Sequence, residues 1–201
     1  MEVHYSKTEL PTAETNSNSA YYGGGLYNNG SAYLGYSGIN SVDETLIEAE
    51  LTGGIYYNYG ADGAGAIFNA GTLYINSGNI NYNYTASWGG GIRTSESNSV
   101  ITLSGGTISN NANNNSMGGG VIVRGGTFTM SGGEISSNTA ATGGGISITD
   151  AVFTMTGGSI KNNTSDNLYY ERGNGATIGE TTLSEDETIT SNIINAEIQT
   201  E

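Results

Sequence analysis

A four-residue pattern, isoleucine followed three residues later by asparagine, recurs five times along this chain at nearly constant intervals. The copies begin at Ile55, Ile80, Ile108, Ile135 and Ile160, with steps of 25, 28, 27 and 25 residues. A period in this range indicates structural units that stack and bury their apolar side chains against one another. The sequence therefore predicts a solenoid.

Each repeat contains three short apolar segments. The first resembles Gly-Gly-Ile, as at residues 90–92, the second alternates apolar and polar residues, as at 101–103, and the third is the Ile-x-x-Asn pattern. Such segments, bounded by glycine and asparagine, are typical of strands, and the paired glycines would destabilise helices. We expect an all-β protein, a right-handed parallel β-helix of about five to six coils with three short strands per coil.

The composition changes along the chain and suggests three regions. Residues 1–20 are polar and aperiodic and contain the single proline, Pro11, so they are interpreted as an N-terminal tail or cap. Residues 21–165 are predicted to form the β-helix repeats, with an insertion near residues 41–50. Residues 166–201 are acidic and are predicted to form a last rung or a capping segment.

Charge and cysteine content exclude several partners. The net charge is −14, and the chain has only five lysines and arginines, so it lacks the basic stripe that nucleic acid requires. Residues 52–160 hold four acids and two bases, a net of −2, so −12 of the −14 lies in the two ends. No cysteine is present, which removes disulfides and thiol chemistry. No apolar run long enough to insert into a membrane and no signal peptide are visible.

One column of asparagines is predicted to be structural. Asparagine tolerates left-handed backbone, and its amide can hydrogen-bond both to turn groups and to its neighbours in a stack. We therefore expect a ladder at one corner of the coil, formed by Asn58, Asn83, Asn111, Asn138 and Asn163.

Aromatic residues concentrate in the first coils and supply the candidate binding residues. Eleven of the 14 tyrosines fall between residues 21 and 84, and in repeat register Tyr57 is predicted to lie over Tyr82 and Tyr59 over Tyr84. Tyrosine and tryptophan combine a flat apolar face with a polar tip, which suits sugar rings and protein hot spots. The alternative is that stacked tyrosines only shield the ladder or pack under the insertion in the segment between residues 26 and 66. The predicted ligand-binding set is Tyr57, Tyr59, Tyr82, Tyr84 and Trp88.

Catalytic signals are weak. Glu96 and Asp150 are predicted to share a column, with Arg124 on the coil between them, and this set is interpreted as a surface ion-pair chain rather than a catalytic pair. The only histidine, His4, lies outside the repeats, so no Ser-His-Asp triad is available there. The sequence predicts no catalytic residue, no metal site and no cofactor.

The clearest repeat, Gly-Gly-Thr-Phe-Thr-Met-Ser-Gly-Gly-Glu-Ile-Ser-Ser-Asn at residues 125–138, resembles the repeats of the polymorphic outer membrane proteins of chlamydiae. The chain also resembles the pectate-lyase-like β-helix surface proteins of anaerobic bacteria. This resemblance covers about residues 52–165 and implies an extracellular or cell-surface protein of the adhesin type.

Three functions remain open at this point. We expect a non-enzymatic extracellular scaffold that binds a glycan, or a protein of a host or neighbouring cell, through a polar, tyrosine-rich face. The alternative is a structural protein that self-assembles end to end into a fibre, because the end of a solenoid is an open sheet edge. A polysaccharide lyase or hydrolase is the third hypothesis.

Overall fold

A computed structural model describes residues 15–16, 19–39, 46–48, 53–189 and 193–195. Throughout these residues the chain is all-β and forms no helix, and it winds into a parallel β-solenoid of about five turns. The predicted all-β solenoid with stacked parallel coils is therefore confirmed. Most of the predicted N-terminal tail and of the insertion lies outside the described residues.

The strands are short in the first coils and become continuous toward the C-terminus. In chain order they are β1 (Thr15–Asn16), β2 (Ser19–Ala20), β3 (Leu26–Asn28), β4 (Ser31–Leu34), β5 (Tyr36–Ile39), β6 (Leu46–Glu48), β7 (Gly54–Tyr56), β8 (Tyr59–Gly60), β9 (Ile67–Asn69), β10 (Thr72–Ile75), β11 (Asn79–Asn81), β12 (Tyr84–Thr85), β13 (Ile92–Thr94), β14 (Val100–Leu103), β15 (Thr107–Ser109), β16 (Ala112–Asn113), β17 (Val121–Arg124), β18 (Thr127–Ser136), β19 (Ile146–Lys161), β20 (Leu168–Ile178), β21 (Thr181–Thr182), β22 (Glu187–Ile189) and β23 (Ile193–Asn195).

Equivalent strands of successive coils pair in parallel at four positions around the coil. Position 1 contains β3, β9, β13 and β17, position 2 contains β4, β10 and β14, and position 3 contains β1, β7, β11 and β15. The long strands β18 and β19 continue these positions in the later coils. Position 4 holds the two-residue strands β2, β8, β12 and β16. This fourth position adds to the three predicted ones, because two residues are too few to produce a visible alternation.

The core is a set of files of apolar side chains along the solenoid axis. The five isoleucines of the repeat pattern lie directly opposite one another on neighbouring strands, and each is at most 6% exposed. A second file runs through Leu73, Ile101, Phe128 and Phe153, all completely buried. Because successive side chains of a strand point to opposite faces, the intervening residues form the outer surface. Burying each of these apolar side chains contributes about 1.5–3 kcal/mol.

The glycine triplets allow the backbone of one coil to approach the next closely. In the triplet at residues 118–120, Gly118 has a φ of 72°. A Cβ on Gly119 would lie 2.5 Å from the carbonyl oxygen of Gly144 and 2.6 Å from the backbone of Thr139. Both obstacles are backbone atoms, which cannot move without shifting a coil. The triplet is therefore required by packing between coils as well as by the turn.

The chain reverses its direction after the last parallel strand. Strands β21 and β22 pair antiparallel with β20, and β23 pairs antiparallel with the end of β19. Leu183 and Ile194 from this region are buried and join the core. The last described layer therefore consists of strands of two and three residues, and such short edges pair poorly with other chains.

We predict that Gly119→Ala lowers the free energy of unfolding by about 1–3 kcal/mol or more, because the new methyl group overlaps fixed backbone. Gly30→Ala is the matched control, because a Cβ at Gly30 would meet nothing within 4 Å. Urea unfolding of both variants measures the difference. Equal stabilities would show that the coils can separate to accept a methyl group.

Candidate functional site

The five asparagines of the repeat form a continuous hydrogen-bonded ladder through the buried corner between positions 3 and 4. Each side-chain amide Nδ2 donates to the Oδ1 of the asparagine in the next coil, at 2.9–3.0 Å. Each backbone N–H donates to that same Oδ1, at 2.9–3.0 Å. From Asn83 onward, Nδ2 also donates to an isoleucine carbonyl oxygen of the preceding coil. The predicted ladder is thus present in the structure.

Asn167 ends the ladder where no further repeat follows. Its Oδ1 accepts from the backbone N–H of Asn163 at 3.1 Å and from the Asn163 side chain at 2.8 Å. These are the two hydrogen bonds that a ladder asparagine of a further coil would accept. Asn167 was not predicted, since it lies only four residues after Asn163 and outside the period.

The left-handed residue at this corner is not the asparagine, as the sequence analysis assumed, but the residue before it. This position is filled by Tyr57, Tyr82, Asn110, Ser137 and Asn162, with φ values of 54–56°. The left-handed residue turns the chain outward, so the asparagine that follows points into the corner and reaches its neighbours. Asparagine at the ladder is therefore required for its amide and not for its backbone preference.

Four of the predicted binding residues form two stacked pairs beside the ladder. The rings of Tyr57 and Tyr82 are 5.2 Å apart between centroids and 9° from parallel, and those of Tyr59 and Tyr84 are 5.6 Å apart and 19° from parallel. Tyr57 is 61% exposed and Tyr82 49% exposed. We call these four residues the corner tyrosines. They flank Asn58 and Asn83, so the structure brings them together as predicted.

Parallel rings at this separation overlap, so each ring covers one face of its partner. Offset stacking of this kind stabilises a pair by about 0.5–1.5 kcal/mol beyond the area that it buries. The surface that the corner tyrosines present to solvent is therefore rich in ring edges and hydroxyl groups.

Trp88, the fifth predicted binding residue, stacks with an arginine instead of with the tyrosines. The guanidinium carbon of Arg124 lies 4.4 Å from the centroid of the Trp88 ring. Sequence spacing could not reveal this contact, because Arg124 belongs to the next coil and reaches back along the outer surface.

A second group of aromatic residues, which was not predicted, lies on the side of position 1 that faces away from the main core. Phe68 at its centre is only 6% exposed and packs with Ala64 and Ala70 in a small second hydrophobic cluster. Tyr27 stacks on Phe68 with centroids 5.4 Å apart, and the guanidinium carbon of Arg93 lies 5.3 Å from the same ring. These three residues are aligned on neighbouring strands. We call Phe68, Trp88, Arg93 and Arg124 the arginine–aromatic cluster. The sequence did contain a signal for this alignment, because the three aligned residues each directly follow the first apolar residue of a position 1 strand. They are Tyr27 after Leu26, Phe68 after Ile67 and Arg93 after Ile92.

Asp62 borders this cluster. Its backbone carbonyl accepts a hydrogen bond from Arg93 Nη1 at 2.7 Å, and its carboxylate accepts one from Ser87 Oγ at 3.3 Å. A hydrogen bond to the Asp62 carboxylate also raises the pKa of the exposed Tyr21. Burial lowers the pKa of Arg93, and the nearby charge of Arg124 lowers it further.

A second, shorter asparagine contact lies at the end of position 1. Asn28 Nδ2 donates to Asn69 Oδ1 at 2.7 Å, and Asn69 in turn donates to the carbonyl oxygen of Val100 at 3.0 Å. The next coil places Thr94 at this position, so the ladder stops after two members. The contact between Asn28 and Asn69 thus adds a second corner at which hydrogen bonds connect the first coils.

The predicted ion-pair chain of Glu96, Arg124 and Asp150 does not form. Asp150 pairs with Arg172, whose Nε and Nη2 lie 3.0 and 3.2 Å from its two carboxylate oxygens. Arg124 is directed to Trp88, and Glu96 is exposed. Arg172 was overlooked because it lies beyond the regular repeats.

Lys161 and Glu134 form a separate ion pair on the outer face of position 3. Lys161 Nζ lies 2.6 Å from Glu134 Oε2, with about a third of each side chain exposed. The hydrogen bond from Lys161 is the main cause that lowers the pKa of Glu134.

Among the described residues, no three acidic or histidine side chains gather in a way that could hold a metal ion. The same residues include no helix of the length and apolarity needed to cross a membrane. Comparisons with protein-family models, with curated proteins and with solved structures returned no match. The resemblance to chlamydial repeats and to pectate-lyase-like surface proteins therefore stays a prediction.

We predict that Asn111→Ala lowers the free energy of unfolding by about 1–3 kcal/mol, because it leaves the buried amide groups of Asn83 and the Ile80 carbonyl without their partner. Asn110→Gly is the matched control, since this exposed neighbour has a left-handed backbone that glycine adopts without cost. Thermal unfolding measures both. An Asn111→Ala variant as stable as the control would show that the ladder contributes nothing.

We predict that Lys161→Met lowers stability by less than about 1 kcal/mol near neutral pH, as expected for a partly exposed pair. The pKa of Glu134 is lower in the folded protein than its unfolded value of about 4.3. The ion pair therefore stabilises the fold fully above the unfolded pKa, and this stabilisation is lost as the pH falls through the folded pKa. The difference between Lys161→Met and the parent protein should therefore shrink below about pH 4. Urea unfolding at several pH values measures it, and a difference that is independent of pH would contradict the pairing.

Proposed function

We propose that this protein is an extracellular, adhesin-type scaffold that binds a glycan or a protein of another cell through the corner tyrosines. The observation that carries the proposal is the backbone conformation of Tyr57 and Tyr82, both with a φ of 56°. A left-handed conformation costs an ordinary L-residue about 1–2 kcal/mol, whereas asparagine adopts it readily. Of the three later coils, two place an asparagine at the same position, Asn110 and Asn162, and the third places Ser137.

Folding alone therefore favours asparagine over tyrosine at this corner. Tyr57 and Tyr82 nevertheless adopt this unfavourable conformation, and 61% and 49% of their surface is exposed. Backbone strain of this kind often accompanies functional sites. An exposed aromatic residue in such a conformation supports a role in recognition.

The scaffold beneath the corner is rigid. Asn58 and Asn83 lie directly after Tyr57 and Tyr82 and are fixed by the ladder, so the rings lose little freedom when a ligand binds. Tyrosine also supplies a large amphipathic contact area with few rotatable bonds. Both properties favour a binding surface, and the resemblance of the repeats supports a position outside the cell.

Self-assembly into a fibre is the second candidate. A solenoid end offers a sheet edge, but the last described layer is made of short antiparallel strands, which discourage pairing between copies. We therefore place adhesion first.

We predict that Tyr57→Asn combined with Tyr82→Asn abolishes binding to glycan arrays or to cells while leaving the fold intact. Lost stacking and relieved backbone strain nearly cancel, so the free energy of unfolding should change by no more than about 1 kcal/mol. Binding and thermal unfolding are measured on the same samples.

Tyr74→Thr is the matched control. Tyr74 stacks on Tyr33 at position 2, and the residue opposite it in the next coil is Thr102. The control removes a stacked tyrosine from a different face, and its binding should equal that of the parent. Unchanged binding in the Tyr57 and Tyr82 variant, or equal loss in the control, would refute the assignment of the site.

A further inference from the structure

We infer that the arginine–aromatic cluster binds an acidic segment of a partner protein. The inference rests on the proposed adhesin function and narrows it to a protein ligand that presents aspartate or glutamate side chains. It concerns a surface on position 1, next to the corner tyrosines and distinct from them in its chemistry.

The charges of Arg93 and Arg124 favour an anionic ligand. Arg93 and Arg124 lie on adjacent coils, and the backbone N–H of Arg124 donates to Thr94, the residue after Arg93. In the part of the chain that the structure describes, no carboxylate lies within ion-pairing distance of either guanidinium. The two other cations there behave differently, since Lys161 pairs with Glu134 and Arg172 with Asp150.

This arrangement is unusual in a chain with 19 acidic residues and only five lysines and arginines. Two like charges held near each other raise the free energy of the folded protein, and burial lowers the pKa of Arg93 in addition to the effect of Arg124. An anion bound between them would remove this cost.

The geometry of the two arginines suits a carboxylate. Arg124 lies over Trp88, and Arg93 lies over Phe68, whose other neighbour in the stack is Tyr27. A guanidinium held against a ring keeps an edge of N–H donors in its plane, which matches the two oxygens of a carboxylate. Arg93 already uses Nη1 to donate to the carbonyl oxygen of Asp62 at 2.7 Å, so its remaining edge is the one that carries Nε. In addition, Nε of Arg93 is buried without an acceptor. The aromatic rings therefore hold two carboxylate-binding groups in advance.

The ring faces of the cluster favour a protein ligand over a sugar. A sugar stacks on a free ring face, but Phe68 lies between Tyr27 and Arg93, and one face of Trp88 lies under Arg124. Tryptophan, tyrosine and arginine are the residues that carry most of the energy in protein interfaces. Tyr21 and Tyr22, 61% and 46% exposed, continue the surface beside Asp62 and Phe68. The composition thus fits a protein hot spot flanked by hydroxyl groups.

The test uses the full chain and three immobilised probes, namely a polyglutamate peptide, the carboxylated polysaccharide alginate and neutral dextran, read by biolayer interferometry. We expect binding to polyglutamate that weakens with added salt. The double variant Arg93→Gln with Arg124→Gln should weaken it at least tenfold. Arg172→Gln is the matched control, because it removes the same charge from a guanidinium that is already paired. Its binding should equal that of the parent.

Arg124→Lys provides a second variant if the double variant unfolds. It keeps the charge but loses the planar fork, and it should weaken polyglutamate binding by severalfold. No binding to polyglutamate, tighter binding to alginate, or an equal effect of Arg172→Gln would each overturn the inference. Loss of cell binding in the Tyr57 and Tyr82 variant together with no binding to polyglutamate would leave the proposed function standing and remove only this inference.

Discussion

The structure depends on the asparagine ladder in the buried corner of the coil. From Asn83 to Asn163 each Oδ1 accepts two hydrogen bonds, and from Asn58 to Asn138 each Nδ2 donates to the next coil, so these buried polar groups are satisfied only while successive coils stay in register. Repeats of 25, 27 and 28 residues nevertheless align, because the loops absorb the extra length while the ladder and the isoleucine file hold their positions.

This alignment extends from the core to the surface. A residue at a given place in one repeat lies over its equivalent in the next, so like residues stack into columns on the outside as well as inside. The corner tyrosines and the pairing of Tyr27 with Phe68 follow from this rule. Two surfaces result, one aromatic and strained at the corner and the other aromatic and cationic on position 1, and they are the basis of the proposed recognition of a partner.

Prediction succeeded where the information is local and repeated. The isoleucine and asparagine columns and the pairing of Tyr57 with Tyr82 follow from counting along the repeat, because parallel coils convert spacing into contact. The prediction of ion pairs failed where a long side chain can reach more than one partner. Arg124 stacks on Trp88 instead of pairing with Glu96 or Asp150, and Asp150 pairs with Arg172. A flexible side chain can reach several residues, so its register does not determine its contact.

The sequence by itself determined the solenoid, the content of its core and the ladder. Apolar and amide residues recur at a fixed period, and stacking the repeats is the arrangement that buries the apolar side chains and gives the amides their hydrogen-bond partners. Only the tertiary structure decided which residue of the corner is left-handed, where the chain reverses after β20, and which arginines have no carboxylate within ion-pairing distance among the described residues. These features depend on distances between groups that lie outside the repeat or on side chains with several possible partners, and both are set when the coils pack.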